Sequence, residues 1–323
     1  MDIDILLALQ DFRNGFGGGL VDFFRKMTFF GEVSVVPIIM AIIYWAVSKK
    51  YGSYLMLGWA GSRLVNGALK VTACAYRPWI RDARVEPWES ATESAKTTAT
   101  GYSFPSGHTM NAATIFGGGT VRKDFPRFLR ITLLILTFLV ALSRNYLGVH
   151  TPQDVLVGMA AGLLVMWLTL RLLQWVDAHP GKDWLVACIG IVLAVGVALY
   201  AAFKIYPKDY QDGKLLVDGA KMANDTYKGV GWCAAILIGW VLERRFIRFT
   251  TDDIPMIRRI ARVVLGLLGY YFLNLAIIPV MKEWIAGIPG TILTCFIQMF
   301  YISFIVPCCI RFFEKPAANK EQA

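Results

Sequence analysis

Residues 128–176 read FLRITLLILTFLVALSRNYLGVHTPQDVLVGMAAGLLVMWLTLRLLQWV. Two apolar runs, 128–147 and 152–176, flank a corner marked by Ser143, Arg144, His150 and Asp154. Each run has the length of a membrane-spanning helix, which needs about 20 mostly apolar residues at about 1.5 Å rise per residue. The stretch therefore predicts two helices crossing a bilayer, joined by a charged, imidazole-bearing turn on one side.

Outward from this pair the pattern recurs. Apolar runs at 30–48, 52–74, 107–121, 184–205, 229–247, 259–280 and 288–312 bring the expected total to nine transmembrane helices. The run at 107–121 is short and Gly-rich, with Gly117-Gly118-Gly119. Composition agrees: 56% of the 323 residues are hydrophobic, only 17% are charged, and mean hydropathy is +0.51. A soluble domain carries roughly 25% charged residues. These values argue against a soluble enzyme, a disordered regulator and a collagen-like chain. The expected fold is all-α, a polytopic membrane helix bundle.

The net charge is +10, from 33 Lys and Arg against 23 Asp and Glu. Such an excess can signal nucleic acid, but here it gathers in short loops, where it sets membrane orientation. Lys49-Lys50, then Arg122, Lys123, Arg127 and Arg130, then Arg244, Arg245, Arg248, Arg258, Arg259 and Arg262, and last Arg311, Lys315 and Lys320 all fall on one side. The positive-inside rule makes that side cytoplasmic, so the N-terminus is expected outside and the C-terminus in the cytoplasm. No nucleic-acid partner is expected. Residues 3–13 form a short amphipathic stretch suited to the interface. The start Met1-Asp2-Ile3-Asp4 is acidic where a secretory signal is basic. The six cysteines lie in or beside apolar runs without metal-ligand spacing and read as small hydrophobes.

Three polar clusters stand at the extracytoplasmic ends of expected spans, where rim charges mark functional sites. The first is Lys70 with Arg77-Pro78, two cations suited to a phosphate dianion or, equally, to snorkelling into water. The second is Pro105-Ser106-Gly107-His108. Ser106 caps a helix start, Gly107 admits an anion near the backbone, and the first amides face outward. An ordinary capped helix start fits the same residues. The third is Ser143-Arg144, His150 and Asp154. Asp154, four residues after His150, can accept the Nδ1 proton and leave Nε2 as the nucleophile, or simply cap free amides. On the span holding Lys70, Arg63 and Asn66 share its face, with Arg63 deeper by roughly 10 Å. They suggest support behind the site, although a structural ion pair or snorkelling accounts for Arg63 as well. Asn111 can orient His108 or bond another helix.

Jointly the spacing Lys-x6-Arg-Pro, Pro-Ser-Gly-His and Ser-Arg-x5-His-x3-Asp resembles the three-part signature of the type 2 phosphatidic acid phosphatase superfamily, over residues 70–154. That resemblance implies a phosphatase working through a phosphohistidine on His150, with Asp154 orienting it. His108 would protonate the leaving alkoxide and then activate water. Lys70, Arg77, Ser106, the Gly107 amide and Arg144 would hold the phosphoryl oxygens. No metal or other cofactor is implied. Nine spans with an outside N-terminus look like the glucose-6-phosphatase and sphingosine-1-phosphate phosphatase branches. The runs Tyr102–His108 and Tyr146–His150 look closer to the latter.

The expected organisation is an interfacial segment 1–28, a catalytic membrane core 29–178 and an extension 179–323 of about four spans. The expected substrate is a lipid phosphate: a phosphosphingoid base, a phosphatidate-like monoester or a prenyl phosphate or diphosphate. Its head group would be read by the loop 79–104. A soluble sugar phosphate is the alternative substrate, and a transporter or lipid-phosphate binder the non-enzymatic alternative. The extracytoplasmic face fits a bacterial plasma membrane, given Gly- and Trp-rich loops and no ER retrieval signal. Oligomeric state is not legible.

Overall fold

A computed structural model of the chain describes residues 1–15, 18–88, 101–211 and 213–314. The loop expected to read a head group lies outside the described residues at 89–100, as do Lys315 and Lys320. Helices α1 (Asp2–Gly15) and α2 (Gly18–Phe29) open the chain. Next come α3 (Val36–Ile42, continuing as a π-helical turn Ile43–Val47), α4 (Lys49–Ala73) and the single turn α5 (Pro78–Arg81). Helix α6 (Gly107–Ala112) runs on through Ala113–Gly117 to Gly118–Thr120, and α7 (Arg127–Tyr146), α8 (Pro152–Ala178) and α9 (Asp183–Phe203) follow. After a two-residue ladder pairing Tyr210 with Leu215, α10 (Gly219–Leu242), α11 (Met256–Phe272, extended to Trp284) and α12 (Gly287–Phe300, extended to Phe313) complete the bundle.

Among the described residues, five helical stretches are long and apolar enough to cross a membrane: Arg127–Tyr146, Pro152–Ala178, Asp183–Phe203, Met256–Trp284 and Gly287–Phe313. The protein is an integral multi-pass membrane protein. The other four expected spans are also helical but weaker in apolar signal, and position explains why. Helix α9 is the most apolar, at mean hydropathy 2.6, and only 17% of it is buried. Helix α4 runs through the centre against α8, α9 and α10, burying Gly52, Ser53, Ser62, Asn66 and Gly67 along with Tyr54 and Trp59. A helix facing lipid must be apolar, whereas one surrounded by protein can carry small and polar residues. The run at 30–48 starts its helix at Val36, after turns in which the Gly31, Glu32 and Val35 amides bond carbonyls three residues back.

Local sequence sets the helix ends. Ser48 accepts from the Tyr51 amide to cap α4, and Asp218 accepts from the amides of Ala220 and Lys221 to cap α10. Thr151 and Asp154 form a reciprocal capping box at α8, with Pro152 in the first turn.

Several of the basic residues that set the expected orientation meet buried or half-buried partners at one end. Lys49 pairs with the fully buried Glu243 at 2.6 Å, Arg245 with Asp183 at 2.6 Å, and Arg262 with Glu314 at 2.5 Å. Arg262 also donates to the Trp45 carbonyl at 3.0 Å. These contacts tie α10–α12 to the start of α4. Lys70 lies at the opposite end of α4. The N-terminal helices pack on α7, and buried Arg13 of α1 donates to the carbonyls of Tyr146 and Glu86.

Candidate functional site

The ends of α4, α6, α7 and α8 converge on a buried imidazole. His150 follows Gly148, whose φ of +72° lets the chain turn sharply after α7. The His150 amide bonds the Arg144 carbonyl, and its own carbonyl accepts from Asn145 at 2.9 Å. The corner is therefore fixed by its own sequence before any long-range contact.

Arg77, buried before α5, reaches the same point. Its Nε donates to the Gly101 carbonyl at 3.0 Å, and Nη1 donates to the Val149 carbonyl and to His150 Nε2, each at 2.9 Å. A guanidinium only donates, so Nε2 accepts and the proton belongs on Nδ1. Burial pulls Arg77 down to about 10, which leaves it cationic at neutral pH. Burial first, and then Arg77 beside it, hold the His150 imidazole well below its usual range and keep it neutral.

On the other ring nitrogen, the structure differs in detail from the sequence expectation. Asp154 Oδ2 is 3.5 Å from His150 Nδ1, too long for a good hydrogen bond. Ser103 lies between them, 3.2 Å from Nδ1 and donating to Asp154 Oδ2 at 2.5 Å. Nδ1–H can donate to Ser103, and Ser103 to Asp154. The Thr151 amide donates to the same carboxylate oxygen at 2.9 Å. Ser103 was not among the expected site residues. It belongs to the run Tyr102–His108, and nothing in its spacing ties it to Asp154.

The remaining candidates surround this core. Lys70 Nζ donates to the Tyr102 carbonyl at 3.1 Å. Ser106 accepts from Thr109 Oγ1 at 2.9 Å and caps α6, while its amide bonds the Asp154 carbonyl at 3.0 Å. His108, in the first turn of α6, feels Arg144, His150, Arg77 and Lys70 as its electrostatic neighbours. Buried Arg144 donates to Thr28 of α2, and its Nε has no partner among the described residues. Asn66 donates to the Pro105 carbonyl at 3.3 Å and so steadies the turn before Gly107. A Cβ on Gly107 would lie 3.9 Å from Arg63 Nη1, which brings Arg63 to the start of α6. Arg63 lies over the Trp232 ring at 5.5 Å, and its Nε has no hydrogen-bond partner among the described residues.

Asn111 does not contact His108 in any hydrogen bond among the described residues. It accepts from Trp59 Nε1 at 3.0 Å and donates to the Gly31 carbonyl at 2.9 Å. Gly31 in turn presses on His108: a Cβ there would lie 2.8 Å from the His108 carbonyl oxygen and 3.1 Å from its Cβ. The exposed His179 stacks on Trp175 at the far end of α8. Thr28, Gly31 and Trp232 come from segments with no motif, so pattern alone offered no route to them.

Residues 51–178 match the model of the PAP2 superfamily, and residues 227–317 match that of the PAP2 superfamily phosphatase, transmembrane extension. The chain is 26% identical over 155 residues to an undecaprenyl-diphosphatase of Sulfolobus acidocaldarius, covering 48% of this chain and 69% of that protein. It is 34% identical over 125 residues to phosphatidylglycerophosphatase B of Bacillus subtilis, covering 36% and 55% respectively. With lipid phosphate phosphatase delta of Arabidopsis thaliana it shares 25% identity over 182 residues, covering 52% and 42%. The chain thus spans about half the length of the second and third of these relatives. No solved structure gives a significant match.

Proposed function

Because the chain belongs to the PAP2 superfamily, we propose that it is a membrane phosphatase of lipid phosphates that works through a phosphohistidine on His150. The observation that carries this reading is the buried line from Arg77 through His150 and Ser103 to Asp154. Nε2 is the unprotonated nitrogen, and its lone pair meets Arg77. A phosphoryl group entering there takes over the Arg77 donor and meets Nε2 in line.

In the first step the Nε2–P bond forms and the bond from phosphorus to the leaving oxygen breaks, while His108 gives that oxygen its proton. Charge building on Nδ1–H is relayed through Ser103 to Asp154. In the second step His108 takes a proton from water, the water oxygen bonds phosphorus, and the P–N bond breaks. Lys70, Arg77, Arg144, Ser106 and the Gly107 amide hold the phosphoryl oxygens, with the positive end of α6 aimed at them. Arg63 and Asn66 support the site from behind, and Asn111 acts through Gly31.

In this reading the chain crosses the membrane nine times and the site faces the extracytoplasmic side, away from the basic Lys49–Glu243 end that the positive-inside rule assigns to the cytoplasm, and a bacterial plasma membrane suits that arrangement. Residues 29–178 form the catalytic core, residues 1–28 an interfacial collar and 179–323 the extension. The three relatives are all named for lipid phosphates or diphosphates, which favours a lipid over a soluble sugar phosphate. The deciding experiment measures phosphate release by the purified protein from phosphatidate, a phosphosphingoid base, a prenyl diphosphate and glucose 6-phosphate. Release from none of the lipids overturns the reading.

Two further outcomes are expected. Ser103→Ala should lower kcat roughly tenfold to a hundredfold, the worth of a hydrogen bond to a charged group, with little change in KM. A kcat equal to that of the parent protein removes Ser103 from the relay. Activity should also persist in EDTA and fall with vanadate, since fixed cations and amides carry the charge. Among the described residues no three His, Cys, Asp or Glu side chains gather as a metal cage. Loss of activity on chelation, restored by one particular metal, contradicts this.

A further inference from the structure

The described residues include a groove of about 390 Å³ where the segment entering α3 meets α11 and α12, within the size range of ligand sites. Val33, Ile38, Leu267 and Tyr271 form its walls, and Trp232 of α10 lies at its back. Val33, Ile38 and Tyr271 are exposed, so in a bilayer the mouth opens to hydrocarbon. The amide and indole groups inside bond one another and the backbone. Gln298 donates to Asn274 at 2.5 Å and accepts from Trp232 Nε1 at 3.4 Å, and Asn274 donates to the Tyr270 carbonyl at 2.8 Å. What the groove offers a ligand is therefore mostly carbon.

Its back wall leads to the phosphate site. Trp232 contacts the Trp59 ring at 5.1 Å between centroids and lies beneath the Arg63 guanidinium at 5.5 Å. Trp59 bonds Asn111, and Asn111 bonds the carbonyl of Gly31, the residue pressed against His108. Val33 and Ser34, on the rim, follow Gly31 by two and three residues. In-line displacement puts the leaving oxygen opposite His150, on the side of the acid His108. The apolar tail of a lipid phosphate hangs from that leaving oxygen. Its exit is thus on the His108 side, toward Gly31 and the segment that runs from it to the groove's rim at Val33.

We propose that this groove, shared by the α3 segment and the transmembrane extension, receives the apolar tail of the lipid phosphate from the bilayer. The proposal rests on the phosphatase reading of the site. It gives the extension a task in substrate selection: α10, α11 and α12 shape the tail channel, and the core supplies the chemistry.

The test compares hydrolysis of a long-chain phosphatidate in detergent micelles with that of para-nitrophenyl phosphate, which has no tail. Leu267→Trp, which fills the groove, should lower kcat/KM for phosphatidate at least tenfold relative to the aryl phosphate. An unchanged ratio overturns the proposal. In parallel, the wild-type protein is photolabelled with a phosphatidate carrying a diazirine in one acyl chain. Labelled peptides from 33–38 and 267–274, suppressed by excess unlabelled phosphatidate, support it. Labelling that excludes these peptides, or that competitor does not suppress, marks ordinary boundary lipid and overturns it, even if Leu267→Trp fails to fold. Failure of the wild-type protein to hydrolyse either phosphate counts instead against the phosphatase reading.

Discussion

Replacing His150 by alanine is expected to abolish turnover, lowering kcat on the order of 10⁴-fold or more, as loss of a covalent nucleophile does. The protein should still fold, because the corner is held by backbone: the Arg144 carbonyl accepts from the amides of Val149 and His150, and Asn145 bonds the carbonyl of residue 150. The wild-type protein, incubated briefly with substrate and quenched in base, should carry an acid-labile phosphoryl group that the alanine variant lacks. Substantial activity in a well-folded His150→Ala protein removes the nucleophile assignment. Burial and Arg77 hold this imidazole well below its usual range. Nε2 therefore stays available as pH falls, and the acid limb of kcat/KM assignable to His150 belongs below that range. A limb near the ordinary imidazole value that persists in a His108→Gln protein contradicts the assignment.

Replacing His108 by glutamine should slow alkyl phosphate esters by about 10²- to 10⁴-fold, the usual contribution of a positioned general acid. The loss depends on the leaving group. An alkoxide needs its proton in the transition state, whereas para-nitrophenolate is a weak base and departs without one. Phosphatidate hydrolysis should therefore fall much further than para-nitrophenyl phosphate cleavage in the first half-reaction. The discriminating measurement is the burst of para-nitrophenol from the variant, since dephosphorylation, where His108 activates water, also slows. Equal losses of the two burst rates would falsify the acid role. The charges that His108 feels come from Arg144, His150, Arg77 and Lys70.

Several features were legible without coordinates because they are local. Apolar run length identifies the helices of 127–146, 152–178 and 183–203, since a segment surrounded by lipid must satisfy its own backbone. Thr151, Pro152 and Asp154 announce the start of α8, and Ser106 that of α6, because capping is settled within four residues. The hydropathy signal is weaker where α4 passes through the bundle, since a helix wrapped in protein is free to carry Ser62, Arg63 and Asn66.

Spacing and hydropathy along the chain are sufficient to read a multi-pass helical membrane protein, with Lys70, Arg77, Ser106, His108, Arg144, His150 and Asp154 as the residues to watch. Chain-local spacing and side-chain chemistry are enough for that. What stands between and behind them is set by the packing of distant segments. Ser103 bridges His150 and Asp154 although it is 47 residues from one and 51 from the other. Gly31 presses on His108, Thr28 meets Arg144, and Trp232 of the extension lies under Arg63. Such contacts join segments whose separation along the chain carries no period and no motif. They arise from how helices pack across the bundle, and packing is a property of surfaces in space that a linear pattern does not encode.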